Sequence, residues 1–244
     1  MIILCLIFGV LPSLIWLLYF LREDVHPEPK REIIRIFLYG MLISFFAAFF
    51  EISFSKGVSF FQLPEKITFF LNLFIGIALI EEYLKYFVVK KKVFSSPEFD
   101  EPIDAPLYMI TCAMGFAATE NVIILSLFAL PIKIAFLEKV IKLATLSYLR
   151  FLGATFLHAL ASGTLGIFLA FSFLKLKRKK EYTIAGMVFA VLLHSLYNFS
   201  IIKMKYFPKT AFSLIILSFL FSFLFIIFSF KRLKKMKSFC KINS

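Results

Sequence analysis

The chain has 244 residues, of which 61% are hydrophobic and 35 are phenylalanine, and its mean hydropathy is +0.90. Soluble domains are about 45–50% apolar, so this composition excludes an ordinary soluble enzyme. The formal net charge is +13. The basic residues cluster at the ends of apolar runs, where they indicate membrane topology and contacts with anionic lipids, and we expect no nucleic-acid partner.

Seven apolar runs approach the ~20 residues that a helix needs to cross a bilayer. The sequence therefore predicts an all-α fold, a polytopic membrane helix bundle in which one domain covers residues 1–244. The first run lacks a basic leading segment and a cleavage site, so we expect it to be retained as a helix. The predicted spans are 2–20, 33–50, 67–89, 106–130, 146–174, 182–202 and 211–230.

Basic residues predict the orientation of these spans. Lys and Arg are frequent at 22–31, 90–92, 175–180 and 231–241, and they are sparser at 56–66, 133–142 and 203–209. Cytoplasmic loops of membrane proteins carry the excess of Lys and Arg. We therefore expect the N-terminus outside and the C-terminus in the cytoplasm.

Charged and polar side chains interrupt four of the runs. Ionisable residues inside a membrane are costly and mark functional sites by default. Two of the three histidines of the chain fall at membrane depth. The candidates are Glu81, Glu82 and Lys85 in the third span, Glu120 and Asn121 in the fourth, His158 in the fifth, and His194 and Asn198 in the sixth.

Small residues indicate which way the two histidines face. Residues four apart share a helix face, and small residues mark the face on which another helix packs closely. We therefore expect both imidazoles to lie between helices. With a rise of ~1.5 Å per residue, Glu81, His158 and His194 fall near the middle of their spans and should meet in one polar pocket. The two faces are Ala154, His158, Ser162 and Gly166, and Gly186, Ala190, His194 and Asn198.

The third span carries two adjacent carboxylates and one ammonium in the stretch EEYLK. Lys85 can form an ion pair with Glu81 or Glu82 at helical spacing. One lysine neutralises one glutamate and leaves the other for general acid/base work on a water molecule, while a histidine or asparagine stabilises the oxyanion. The residues leave open which of the two glutamates is the base.

The same groups are compatible with other functions. His158, His194 and Glu82 match the ligand types of a catalytic zinc site, with the second glutamate as base, and the residues alone leave the metal open. A transporter would use the titratable groups as a proton or cation path, and a scaffold would use them only to hold helices together. The motifs HExxH, GxSxG and GxGD are absent, which excludes common local signatures of other hydrolases.

Four motifs occur in a fixed order: EEYLK at 81–85, FAATEN at 116–121, the segment around His158, and HSLYN at 194–198, with DVHPEPK at 24–30 ahead of them. As a set they resemble the PrsW family of bacterial intramembrane proteases. The family belongs with CAAX-prenyl-protease-like and bacteriocin-processing membrane enzymes, which carry EExxxR and a phenylalanine four residues before the first histidine. Lys85 and Ala154 depart from that pattern and favour PrsW.

The resemblance implies a peptidase of the bacterial cytoplasmic membrane. Its implied partner is a single-span, membrane-bound anti-sigma factor, which it cleaves first in a stress-response cascade. The family is classed with metallopeptidases, so Zn²⁺ is the candidate cofactor, and a CAAX-type processing peptidase is the alternative. By resemblance, the catalytic residues are Glu81, Glu82, His158 and His194, and the supporting residues are Lys85, Glu120, Asn121 and Asn198.

Overall fold

The computed structural model of the protein describes residues 1–129 and 135–236. These residues form long helices, and no strand is found among them. Seven helices are long and apolar enough to cross a membrane, which confirms the predicted all-α class and the number of spans. They are α1 (Ile2–Leu21), α2 (Lys30–Phe60), α3 (Glu65–Lys92), α4 (Asp104–Ala129), α5 (Phe136–Leu174), α6 (Leu176–Lys203) and α7 (Pro208–Leu233).

Two helices extend about ten residues past the ends of their predicted apolar runs. α2 continues to Phe60 where the prediction ended at residue 50, and α5 begins at Phe136 where the prediction began at residue 146. Polar side chains end an apolar run without ending the helix. The Ser53 hydroxyl donates to the carbonyl one turn earlier, and Glu138 pairs with Lys142 at 2.8 Å along the first turns of α5.

A few residues used in the predictions lie outside the described part of the chain. They are Leu130, the predicted end of the fourth span, and the basic residues Lys133, Lys237 and Lys241. The orientation of the bundle across the membrane stays a prediction.

Two spanning helices contain a π-helical stretch just before the residues of interest. It covers Asn72–Leu79 in α3 and Phe151–Thr155 in α5. The wider π-turn changes the direction of the side chains that follow and leaves carbonyl groups in need of a partner. In α5, the indole N–H of Trp16 donates to the carbonyl of Phe151 at 2.9 Å. The apolar periodicity predicted neither stretch.

α4 is the central helix of the bundle and packs against α1, α2 and α5. Glycines allow its backbone to touch that of α2. A Cβ atom at Gly115 would lie 1.9 Å from the carbonyl oxygen of Phe37, and one at Gly40 would lie 2.1 Å from that of Cys112. Small residues permit this close approach between membrane helices, which fixes the position of the FAATEN segment on α4.

Replacing Gly115 with Ala will destabilise the bundle by roughly 1–3 kcal/mol, because the added methyl group forces two backbones apart. Gly57→Ala is the matched control, since Gly57 also lies in a helix and a Cβ there has nothing within 4 Å. That exchange should be neutral or stabilising by up to ~1 kcal/mol. Thermal unfolding in detergent measures both, and equal melting temperatures of the two variants would contradict the close contact.

Candidate active site

Four ionisable side chains from three helices meet inside the bundle. Glu81 and Glu82 follow the π-helical stretch of α3, His158 follows that of α5, and His194 lies in the interior of α6. One possible ligand atom from each residue lies within 4.8 Å of the others. At most 6% of any of the four residues is exposed. The structure therefore brings together the four residues predicted to be catalytic.

The ammonium group of Lys85 lies among these side chains. Its Nζ atom is 2.7 Å from Glu82 Oε1, 3.3 Å from Glu81 Oε2 and 2.9 Å from His158 Nδ1. The ring centroid of Phe116, from the FAATEN segment, is 4.4 Å from Nζ, which adds a cation–π contact. Lys85 therefore contacts both glutamates, where the sequence predicted that it would neutralise one.

Glu82 has both carboxylate oxygens engaged. Oε1 accepts hydrogen bonds from Lys85 and, at 3.1 Å, from Nδ1 of His194. Oε2 accepts one from the hydroxyl of Ser162 at 2.7 Å. Charge-assisted hydrogen bonds of this kind are stronger than neutral ones. Three donors on three helices therefore fix the Glu82 carboxylate in one position.

The contacts of His158 determine its tautomer. An ammonium group only donates, so Nδ1 of His158 carries no hydrogen and its lone pair accepts from Lys85. Nε2 then carries the hydrogen and donates to Glu120 Oε2 at 2.8 Å. On the far side of Glu120, Nη2 of Arg150 lies 2.9 Å from Oε1. A carboxylate behind a histidine in this way fixes the orientation and basicity of the ring.

His194 has the opposite tautomer. A carboxylate only accepts, so Nδ1 of His194 carries the hydrogen that faces Glu82. Nε2 is left with its lone pair, 4.0 Å from Glu81 Oε2. The lone pair on His158 Nδ1 is 3.8 Å from the same oxygen. Glu81 therefore faces an unprotonated nitrogen of each imidazole.

Sequence reasoning missed the roles of two residues in these contacts. Arg150 pairs with Glu120, and Ser162, expected only as a small packing residue, donates to Glu82. The signal for Arg150 was present, because an arginine inside the predicted span 146–174 is as unusual as a glutamate there. The periodicity of small residues gave no sign that the Ser162 hydroxyl would meet a carboxylate.

The two asparagines lie outside the four-residue cluster. The Asn121 amide donates to the carbonyl of Gly9 at 3.2 Å and to the hydroxyl of Thr155 at 3.0 Å, and its oxygen accepts from Nε of Arg150. Asn121 therefore joins α1, α4 and the π-helical stretch of α5. Asn198 is half-buried one turn beyond His194, and within the described residues its side chain forms no hydrogen bond.

The DVHPEPK segment lies at the other end of α4. The Asp24 carboxylate accepts the backbone N–H groups of His26 and Glu28 at 3.1 and 3.2 Å, and Tyr108 donates to Glu28 at 2.7 Å. Burial raises the pKa of Glu28 to about 7. Tyr108 lies about three turns before Glu120, which is roughly 18 Å along the helix, so this segment does not belong to the cluster.

The donor types of the cluster fit a zinc ion. Zinc takes imidazole nitrogen and carboxylate oxygen, and Glu81, Glu82, His158 and His194 offer two of each within 4.8 Å. Glu120 behind His158 is the kind of outer partner that metal-binding histidines have. The Lys85 ammonium contacts His158 Nδ1 and Glu82 Oε1, so an ion could share these atoms only after the ammonium moves.

Comparison with known proteins identifies the family. The profile of the PrsW family intramembrane metalloproteases matches residues 28–228. The chain belongs to the PrsW family. It is 29% identical over 192 residues to Protease PrsW of Geobacillus kaustophilus, and 30% identical over 191 residues to Protease PrsW of Oceanobacillus iheyensis. These alignments cover 78% of this chain and 76% and 80% of the two relatives.

Protease PrsW of Bacillus subtilis is a further relative, at 27% identity over 78% of this chain. No solved structure matches the chain. Membership of the PrsW family confirms the predicted enzyme class, a peptidase, and together with the seven apolar helices it makes the chain a multi-pass protein of the cell membrane. The peptidase class also decides against the transporter and the scaffold.

Proposed function

We propose that this PrsW-family peptidase hydrolyses a peptide bond of a single-span membrane protein, with Glu81 as the base that activates water. The observation that carries the proposal is the position of Glu81 Oε2, which faces unprotonated nitrogens of His158 and His194 at 3.8 and 4.0 Å. A water molecule between these atoms could donate its two hydrogens to Glu81 Oε2 and to Nε2 of His194, since Nδ1 of His158 already accepts from Lys85. The family resemblance supports an anti-sigma factor as the substrate, in the first cleavage of a stress-response cascade.

The two adjacent glutamates have different roles in this proposal. Glu82 is fixed by Lys85, His194 and Ser162, so it orients the cluster. Glu81 has one donor within 3.5 Å in the described structure, Lys85 at 3.3 Å, which leaves it room to accept a proton. A base needs a free lone pair directed at the proton that it removes, and Glu81 meets that condition better than Glu82.

The reaction begins when Glu81 takes a proton from water and the water oxygen bonds to the carbonyl carbon of the peptide. Lys85 places its positive charge beside the oxyanion that then forms, where electrostatic stabilisation has its largest effect. The carbon–nitrogen bond breaks, and Glu81 returns the proton to the departing amine. Nε2 of His194 accepts a hydrogen bond from the second hydrogen of the water and so holds it in line for attack, while Nδ1 of His158 keeps Lys85 in place.

For a metal-bound form of the peptidase, the ligands that we propose are His158, His194 and Glu82. A bound zinc ion would polarise the substrate carbonyl as a Lewis acid. Glu81 keeps its role as base, and Glu120 keeps His158 in the tautomer that presents Nδ1. In that form Lys85 would leave Glu82 Oε1 and His158 Nδ1, the two ligand atoms that it contacts, and would pair with Glu81 alone.

Glu120 gives the buried cluster its proposed route to the surface. Its side chain is 32% exposed, whereas that of His158, which it contacts, is 2% exposed. Arg150 beside it is 14% exposed. A peptide bond entering here passes an ion pair. The ion pair favours cleavage in a polar segment at the end of the substrate's span over cleavage in its apolar middle, since charged groups attract polar backbone.

The test is cleavage by the purified protein. The protein is reconstituted in liposomes with a single-span anti-sigma factor, and the products are sequenced by mass spectrometry. We expect one cleavage near the end of the substrate's span. Elemental analysis of the same preparation measures zinc per chain, and chelation tests whether activity depends on it. An intact substrate after prolonged incubation with folded protein would contradict the proposal.

Arg150→Gln will lower kcat by roughly 10–100-fold, the effect expected for losing an outer partner of an active-site histidine. The reason is that Glu120 loses the charge that holds it against His158. We expect KM to change little, and Arg150→Lys to restore part of kcat. Arg178→Gln is the control, because Arg178 pairs with Glu181 on the surface. An unchanged kcat in Arg150→Gln would exclude this positioning role.

A further inference from the structure

A pocket lies between the ends of three spanning helices, at the membrane surface predicted to be cytoplasmic. It has a volume of about 400 Å³ and lies between the last turns of α3, the end of α5 and the beginning of α6. Its apolar wall includes Phe94, Leu169, Phe173 and Ile184. Lys90 from α3, with Lys179 and Lys180 from α6, forms its polar side. The pocket thus has an apolar part and a basic part.

The three lysines have no acidic partner in the described part of the chain. Lys179 lies over the ring of Phe173 at 4.5 Å and Lys90 over that of Tyr86 at 5.5 Å, so aromatic rings support two of the ammonium groups. The nearest acidic residue in sequence, Glu181, faces Arg178 at 3.7 Å. Three positive charges therefore surround one pocket without a counter-charge.

The position of Lys179 and Lys180 adds to this excess of positive charge. They begin the α-helical part of α6, Lys179–Lys203, which has no side-chain cap at its first turn. The acidic residue of that turn, Glu181, faces Arg178 and neither lysine. The N-terminal end of a helix carries a partial positive charge and unpaired N–H groups. Basic residues there are unfavourable unless an anion offsets them. The three lysines and the start of the helix therefore both favour an anionic group in this pocket.

We propose that this pocket binds one anionic phospholipid, with its phosphate at Lys90, Lys179 and Lys180 and an acyl chain along the apolar wall. A pocket that is basic at the membrane surface and apolar below it matches a phospholipid in both parts, and basic pockets between membrane helices are known to bind such head groups. A soluble phosphate would use only the lysines. The lipid chain accounts for Leu169 and Ile184 as well.

A lipid in this pocket joins the helices that carry the active site. Lys90 follows Glu81 and Glu82 on α3, and Lys179 and Lys180 precede His194 on α6. One phosphate bound to both helix ends restrains how far α3 and α6 can separate. The lipid therefore regulates the distance between Oε1 of Glu82 and Nδ1 of His194, which are 3.1 Å apart. This consequence rests on the proposed function, whereas the binding site does not.

Native mass spectrometry of the full-length protein in detergent tests the binding site. Dioctanoyl phosphatidylglycerol is titrated against the zwitterionic dioctanoyl phosphatidylcholine. We expect one phosphatidylglycerol per chain, bound at least tenfold more tightly than phosphatidylcholine. Each lysine should contribute about fivefold in affinity, so the variant K90Q/K179Q/K180Q should bind roughly a hundredfold more weakly. The control K177Q/K231Q/K235Q removes three basic residues that do not line the pocket and should bind within twofold of the parent.

A second pair of variants tests the apolar part without changing charge. Ile184→Trp fills the pocket and should abolish the bound lipid, while Val188→Trp, one turn further along the exposed face of α6, should not. An equal loss of phosphatidylglycerol affinity in K90Q/K179Q/K180Q and in K177Q/K231Q/K235Q would overturn the site. Inorganic phosphate that displaces the lipid at equal concentration would overturn it too. Cleavage in liposomes then reports the regulatory consequence separately, because binding can persist where cleavage fails.

Discussion

Glu81→Gln will lower the rate of peptide cleavage by about 10²–10⁴-fold while the protein stays folded. Gln keeps the size of the side chain and can still accept a hydrogen bond from Lys85, but it cannot take a proton from water. The other contacts of the cluster remain, because Glu82 holds Lys85, His194 and Ser162. The measurement is kcat for a single-span substrate in liposomes, together with the melting temperature.

Glu65→Gln is the matched control for this variant, since Glu65 lies exposed at the start of the same helix. Its kcat should equal that of the parent. Glu82→Gln distinguishes the two adjacent carboxylates, because it should lower the melting temperature as well as the rate. If Glu81→Gln cleaves at the parent rate while Glu82→Gln keeps its stability and loses activity, the roles of the two glutamates are the reverse of those proposed.

Lys85→Met will destabilise the folded protein by about 3–5 kcal/mol, the cost of removing one partner from a buried ion pair. Lys85 is fully buried and lies within 3.3 Å of both Glu81 and Glu82. Without it, two adjacent carboxylates remain inside the bundle with no cation in contact. Unfolding by heat or denaturant in detergent gives the free energy, and cleavage should be lost with the charge beside the oxyanion.

Lys142→Met is a control with the same helical spacing. Lys142 pairs with Glu138 four residues earlier, but both side chains are about half exposed, so its loss should cost only about 0.3–0.5 kcal/mol. The double variant Glu82→Gln/Lys85→Met should recover part of the stability, because one of the two uncompensated charges is gone. A Lys85→Met protein as stable as the Lys142→Met protein would show that the buried lysine is not paired as described.

The sequence was sufficient for the seven spans and for the residue types of the site. Hydropathy reports the length of an apolar helix directly, and a charge inside such a run is so costly that Glu81, Glu82 and the histidines stood out. Hydropathy misplaced the end of α2 and the beginning of α5, because polar turns such as the one at Glu138 can stay helical beyond the apolar run. Neither π-helical stretch could be read from a period of 3.6 residues.

Helical spacing placed Glu81, His158 and His194 at a similar depth, and in the tertiary structure one possible ligand atom of each lies within 4.8 Å of the others. Spacing could not assign partners. It predicted that Lys85 would pair with one glutamate, whereas in the packed bundle Lys85 contacts both glutamates and His158. It also gave no role to Arg150, which reaches Glu120 from another helix.

The sequence by itself therefore determined the membrane class, the number of spans, the resemblance to PrsW and the candidate residues of the site, because each depends on composition or on order along the chain. Only the tertiary structure separated Glu81 from Glu82. Adjacent residues differ by about 100° around a helix, and the neighbouring helices decide what each carboxylate meets. They placed Ser162 and His194 against Glu82 and left Glu81 facing an unprotonated nitrogen of each imidazole.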